Sequence, residues 1–277
     1  MDAKRRSVLL VGESNVGKTH YGAQFLKRLI VQSCELRMDG AATNLRPFET
    51  AMECIAEGRA TQHTTATSYT ESVWPVADSQ DRRAEMVWPD YGGEQIRLIP
   101  NERKISSQWR ERVSCATDWV LLLRLNAIRS SDDVFSRPIA SLGKQTVDNA
   151  ARKPSDQSRL IELLQILLYV GGLTQETALS VPRLSVLLSC WDELGMVEGV
   201  RPADVLKERV PLLHAFLDST WENAEILGLS ALEKPLSETD ADTAYASKGP
   251  ENFGFVILPD GSKSTDITLP VQRLLAS

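Results

Sequence analysis

The sequence predicts a doubly wound α/β sheet, six-stranded and mostly parallel, with helices on both faces and mixed direction at one hairpin. Three observations predict it. Apolar runs of strand length alternate with segments of helical spacing. The longest run, Asp118-Trp119-Val120-Leu121-Leu122-Leu123-Arg124-Leu125, is nearly continuous, as a strand covered on both faces requires. A glycine-rich turn, Gly12 to Thr19 (GESNVGKT), joins the first apolar run to the first helical segment. The expectation is a single domain over 1–277, with an inserted segment around 126–157 and a polar loop around 237–252.

Taken in order, Ser7-Val8-Leu9-Leu10-Val11 is the first strand, and His20 to Val31 the first helix. In that helix Phe25, Leu26, Leu29 and Ile30 share a face while Lys27 and Arg28 point away. Pro47 to Gly58 is a second helix, with proline at its start, Phe48, Met52 and Ile55 on one side, and glycine as its stop. Arg59 to Thr67 is polar and threonine-rich, too hydrophilic for a core, and reads as a mobile loop. Tyr69 to Val76 and Arg83 to Trp88 alternate as the two strands of a hairpin that turns at Asp78-Ser79-Gln80-Asp81. Ser106 to Ala116 is a helix. Residues 126 to 157 become polar and irregular, the expected family-specific binding surface.

Arg159 to Tyr169 is a strongly apolar helix, and Arg183 to Ser189 the next buried strand. Pro202 to Glu222 is helical with a break near Pro211, and Ala224 to Leu229 is a strand ending in Ser230-Ala231-Leu232. Ser237 to Asn252 reads as a polar surface loop with some disorder. Gly254 to Leu258, a turn at Pro259-Asp260-Gly261, and Ile267 to Leu275 form a short strand, a turn and a closing helix. There is no internal repeat.

Composition narrows the function. The net charge of -6 is spread along the chain and the one basic cluster is Lys4-Arg5-Arg6, which argues against nucleic acid or an anionic membrane surface as partner. Cys34, Cys54, Cys115 and Cys190 stand far apart without a CxxC, and there are 3 histidines, so neither a zinc site nor a disulfide framework is expected. A reducing cytoplasm is the expected location. No apolar stretch approaches the roughly 18 residues of a membrane span, no secretory or CaaX signal is present, and Asp2 stands where myristoylation needs glycine.

The chemistry begins at GESNVGKT. A glycine-rich turn between strand and helix gathers backbone N–H groups into one concavity, and the helix N-terminus adds partial positive charge, so the site suits a polyphosphate. In the pattern G-x-x-x-x-G-K-[ST], Lys18 reaches the β/γ-phosphates and the Thr19 hydroxyl holds Mg²⁺. Downstream, Pro89-Asp90-Tyr91-Gly92-Gly93-Glu94 puts a carboxylate at a strand's end before two flexible residues. Asp90 there can complete a Mg²⁺ shell and the glycine can turn an N–H to the γ-phosphate; the same residues also make an ordinary turn. Asp192, in Ser189-Cys190-Trp191-Asp192, follows a buried strand at the end where α/β sheets hold ligands.

In order, GESNVGKT, a threonine-rich loop, DYGG, SCWD and SAL resemble the five GTPase motifs of Ras-like, translation-factor-class proteins. The phosphate loop looks like that of bacterial ribosome-associated GTPases, and DYGG with its hairpin looks more like Arf and heterotrimeric α-subunits. The whole arrangement, with the long segment before SCWDEL and the DGSKSTDIT tail, is most similar to bacterial double-GTPase families found beside conflict and defence genes. The resemblance implies GTP/GDP and Mg²⁺ as cofactors. It implies nucleotide contacts from Gly12, Ser14, Asn15, Val16, Gly17, Lys18, Thr19 and His20, and a γ-phosphate sensor in Gly93. Asp192 would read the guanine N1 and N2 hydrogens, with Ser230, Ala231 and Leu232 near O6.

Three departures from the motifs stand out. SCWD lacks the Asn and Lys of NKxD, although Trp191 or an apolar neighbour could cover the ring. Glu94 occupies the place of the water-orienting Gln, with Gln95 one position later, so the catalytic set is Lys18, Glu94 and Gln95. The Mg²⁺ set is Thr19, Asp90 and one threonine of the loop, Thr64 or Thr65, with Thr61 a third option. The implied activity is a slow GTPase switch acting on a protein effector or a second GTPase. A P-loop ATPase or kinase, and a nucleotide-bound scaffold without turnover, are the alternatives.

Overall fold

Four apolar residues in succession, Val8 to Val11, open the sheet, and all four are buried. The computed structural model of the chain describes residues 6–61, 70–90, 94–129, 155–173 and 177–276. Along it run β1 (Arg6–Gly12), α1 (Lys18–Val31), β2 (Leu36–Met38), α2 (Arg46–Ala56), β3 (Thr70–Asp78), β4 (Arg83–Asp90), α3 (Glu94–Glu102), α4 (Ser107–Cys115) and β5 (Asp118–Leu123). Then follow α5 (Asp156–Val170), β6 (Arg183–Ser189), α6 (Pro202–Arg209), α7 (Pro211–Thr220), β7 (Glu225–Ser230), α8 (Thr243–Lys248), β8 (Phe255–Ile257), β9 (Lys263–Ser264) and α9 (Leu269–Ala276).

Among the described residues the strands form one sheet of 9 in the order β2-β3-β4-β1-β5-β6-β7-β8-β9. The expected six strands are corrected to 9, and the sheet is mixed. Five strands, β4, β1, β5, β6 and β7, run parallel, but β2, β3, β8 and β9 pair antiparallel at the two flanks. The physical reason is length. β2 and β9, which the sequence pattern does not show, contain 3 and 2 residues, too few for any period to emerge, and they are held by pairing to a neighbour; β8 falls within the short strand expected at Gly254 to Leu258. α3 was likewise not anticipated; Pro100 inside it obscures its spacing.

Side chains alternate across the sheet and so build two cores. Leu9, Val11, Trp119, Leu121, Val186 and Leu188 face the layer of α3 to α7, while Val8, Leu10, Val120, Leu122, Leu187 and Leu227 face α1, α2 and α9. Leu160, Leu163, Leu164, Leu167 and Leu168 of α5 are all buried, each contributing roughly 1.5–3 kcal/mol by leaving water. On the other face Tyr21, Phe25, Phe48, Trp74 and Trp88 interlock edge to face or tilted. Gly22 makes that possible: a Cβ there would fall 2.2 Å from Phe48 Cε1.

The polar segment around 237–252 is also corrected, because it is not a loose loop. The Ala60 N–H donates to the Ser237 carbonyl at 2.8 Å and the Asp242 N–H to the Gly58 carbonyl at 2.9 Å. Asp242 then caps α8, accepting from the Tyr245 N–H. Tyr245 is fully buried, stacks on Phe253 at 4.0 Å, and accepts from Gln24 Nε2 at 2.9 Å. Two aromatic anchors outweigh the polar composition. Among the described residues no helix is long and apolar enough to cross a membrane.

Candidate nucleotide-binding site

Strand register sets the site. Gly12 lies opposite Leu122 and Leu9 opposite Val87, so Asp90, three residues beyond Val87 as Gly12 is beyond Leu9, ends β4 level with the start of the glycine-rich turn. Ser189 pairs with Leu229, which brings the segments after β6 and β7 to the same C-terminal edge. Five parallel strands therefore open onto one rim.

The turn between β1 and α1 needs its glycines. A Cβ on Gly12 would lie 2.9 Å from Val16 Cγ2 and 3.2 Å from Leu122 Cβ, and Gly17 takes φ 81° at the helix N-cap. Asn15, at φ 62°, tolerates the left-handed region better than most residues. Lys18 folds back over the turn, donating from Nζ to the carbonyls of Gly12 at 2.9 Å and Glu13 at 2.5 Å. Glu13 would oppose a polyphosphate, but the buried Arg159 ion-pairs with it and Arg97 Nε stands 3.6 Å away. In the same first turn of α1, His20 Nε2 accepts from the Thr61 N–H at 3.1 Å, and burial lowers its imidazole pKa to about 4, so it is neutral. That bond ties the helix to the start of the threonine-rich stretch.

On the far side of the rim, Ser230 Oγ donates to Asp192 Oδ1 at 2.5 Å and accepts from the Glu233 N–H at 2.9 Å. The hydroxyl orients the Asp192 carboxylate. Both halves border one cavity of about 410 Å³, whose walls include Lys18, Thr19, Asp192, Ala231 and Leu232. Trp191 does not cover a ring in it. It is buried against Gly228, where a Cβ would meet its ring at 2.6 Å, because the left-handed Cys190 (φ 53°) turns it into the core. The apolar wall of the cavity includes Leu229, Leu232 and Leu236 instead.

Residues 9–274 match the family described as Double-GTPase 1. The chain belongs to that family. No curated protein matches it. Among solved structures this Double-GTPase 1 protein is similar to the bacterial selenocysteine-specific elongation factor EF-Sec, at 14% identity and TM-score 0.38 over 83% of this chain and 26% of that one. It is similar to the signal recognition particle receptor SRb-GTP/SRX complex from Chaetomium thermophilum, at 14% identity and TM-score 0.41 over 89% and 98% of the two chains. A third is Methanosarcina barkeri Roco2 RocCORdC bound to GDP, at 15% identity and TM-score 0.33 over 89% and 48%. The chain thus spans about a quarter of the elongation factor's length.

A magnesium nucleotide fits the residues present. Ser14 Oγ is buried at the cavity wall with no hydrogen-bond partner among the described residues, a donor suited to an acceptor-rich ligand. Lys18 would hold phosphate oxygens and the Thr19 hydroxyl the metal. Val16 is buried behind the turn, so only its backbone could meet a ligand. Gly93, Thr64 and Thr65 lie outside the described residues, as does most of the insertion, 130–154. Asp90 is placed at the end of β4, and Glu94 and Gln95 open α3, by backbone.

Sequence reasoning missed Arg124 and Glu193. Arg124 Nε and Nη2 donate to Glu193 Oε2 at 3.0 Å and Oε1 at 2.6 Å, and both residues border the cavity. The bond to Glu193 raises the guanidinium's pKa. One signal was available: Arg124 is a charge directly after the apolar run Trp119 to Leu123, at the C-terminal end of β5.

Proposed function

We propose that this chain is a GTP-binding molecular switch with slow, Mg²⁺-dependent hydrolysis, signalling in the cytoplasm to a protein effector or a second GTPase. The observation that carries the reading is that the Lys18–Thr19 phosphate turn and Asp192, whose carboxylate Ser230 holds from behind, border one cavity. Membership of a GTPase family supports the choice of base. When bound, Mg²⁺ neutralises charge on the β- and γ-phosphates. Lys18 exchanges its two carbonyl partners for phosphate oxygens, and Asp192, held by Ser230, accepts from the two guanine N–H groups that adenine lacks. The bond from Thr61 to His20 holds the start of the threonine-rich loop beside the phosphates, so ordering of that loop and of Tyr91-Gly92-Gly93 reports the γ-phosphate. Slow turnover is inferred from Glu94, whose carboxylate in place of a Gln is repelled by the γ-phosphate. Resemblance to conflict-associated double GTPases supports a role in bacterial defence.

The test is a calorimetric titration of the full chain with GTP, GDP and ATP, with and without Mg²⁺, followed by single-turnover hydrolysis. Mg²⁺-dependent binding of GTP over ATP with slow turnover is expected. Preference for ATP would overturn the guanine reading, and complete lack of hydrolysis with tight GTP binding would leave a scaffold.

A further inference from the structure

The base segment lacks a cation that another strand supplies. Cys190 stands where the motif it resembles has lysine, and its Sγ would lie 3.8 Å from a Cβ placed on Gly17, beside the phosphate turn. Burial pushes its thiol up to about 11, so position 190 offers a neutral, weak donor. Arg124, immediately after β5, reaches the same place. Its Nη1 donates to the Asn15 carbonyl at 3.2 Å while its Nε and Nη2 grip Glu193, the residue next to Asp192. Asn126 Nδ2 donates to the Glu193 carbonyl at 3.2 Å and its Oδ1 accepts from Arg209 Nη1 at 3.1 Å, so the fork is anchored to α6.

We propose that Arg124 is a positioning residue that locks the base segment at Glu193 to the phosphate turn at Asn15, supplying from β5 what a lysine at 190 would supply. It thereby sets how long a guanine nucleotide stays bound. The proposal rests on the guanine-nucleotide reading above. A guanidinium fork suits the task because three of its donors act in one rigid plane, whereas an ammonium is a single flexible point charge. The phosphate and base contacts sit on different loops, and a ligand spanning both is released when they part. Stiffening that relation lowers the ordering cost of binding.

The experiment follows release of GDP carrying a fluorescent ribose label from the full chain, chased with unlabelled GDP. Arg124→Ala should release about tenfold faster, the scale of one charge-assisted hydrogen bond. Glu193→Gln, a milder change that tests the same fork should Arg124→Ala fold poorly, should release about threefold faster. Adding Cys190→Lys to either variant should slow release again, a rescue that a purely structural role for Arg124 would not give. Release at the parent rate from both single variants would overturn the proposal, and so would failure of Cys190→Lys to slow either one. A parent chain that binds no GDP would remove the nucleotide reading and the strut with it; a parent that binds, with variants indistinguishable from it, would remove the strut alone.

Discussion

The two ends of the sheet use the same residue types to opposite effect. At the N-terminal end Asp118 is fully buried, paired with Arg183, 3.6 Å from Arg6 Nε, and accepting from Thr117 Oγ1 at 2.7 Å. Burial nevertheless pushes its carboxyl up to about 6, against the pull of Thr117 and Arg6. This cluster is closed, joining the first strand to its neighbours. At the C-terminal end Lys18, Asp192, Arg124 and Glu193 are also paired, but their partners are backbone carbonyls, the Ser230 hydroxyl or one another, and all four line a cavity. Charge pairing alone therefore does not mark a site. Pairing that a ligand can replace, at the rim of a cavity, does.

Substitutions at the two ends should separate binding from stability. The largest expected effect is Lys18→Ala: GDP affinity falls about a hundredfold, since a charged hydrogen bond to phosphate is lost, while the urea midpoint stays near that of the parent. Calorimetry and urea unfolding on one preparation check it, and parental GDP affinity would break the phosphate-turn assignment. Next is Asp118→Ala, expected to cost on the order of 2 kcal/mol of stability, below the 3–5 kcal/mol of a fully buried pair because both arginines are partly exposed. Nucleotide affinity of the folded protein should not move. Loss of affinity with intact stability would mean that the two ends are coupled.

The same contrast explains what could be read without coordinates. The parallel core was legible because β1, β5 and β6 are buried runs whose composition follows from being covered twice. The glycine-rich turn between β1 and α1 was legible because Gly12 and Gly17 meet steric demands that few other residues satisfy. β2 and β9 were not, since strands of two or three residues carry no period, and the choice between Trp191 and an apolar neighbour stayed open because one left-handed residue, Cys190, decides which way the indole faces. The partners of Arg124 were illegible for a different reason. Asn15 and Glu193 are 109 and 69 residues away, a juxtaposition made by strand order.

A smaller effect sharpens the C-terminal end. Asp192→Asn should weaken GTP about tenfold and strengthen xanthosine triphosphate, whose extra carbonyl accepts from the amide. Ser230 Oγ can still donate to the Asn oxygen, so stability should hold. Competition binding with both nucleotides checks it, and unchanged GTP affinity would place the base elsewhere.

The smallest expected effect concerns Arg59, which precedes the threonine-rich loop much as the built-in arginine of heterotrimeric α-subunits does. An arginine finger can raise turnover about 10³–10⁵-fold, but only when its guanidinium reaches the transferring phosphoryl group. Arg59 is engaged with Glu57, two residues back, and the described lining of the cavity does not include it. Its interval to Thr61 or Thr64 also differs from the Arg-x-x-Thr spacing of those α-subunits. Arg59 thus resembles the paired charges of the sheet's other end, being held by a partner with no ligand to exchange for it. Arg59→Ala should leave single-turnover GTP hydrolysis within about twofold of the parent, against the thousandfold loss that removal of a finger brings. A loss of that size would show that the loop swings Arg59 from Glu57 to the phosphates, and that the switch carries its own finger instead of borrowing one from a partner.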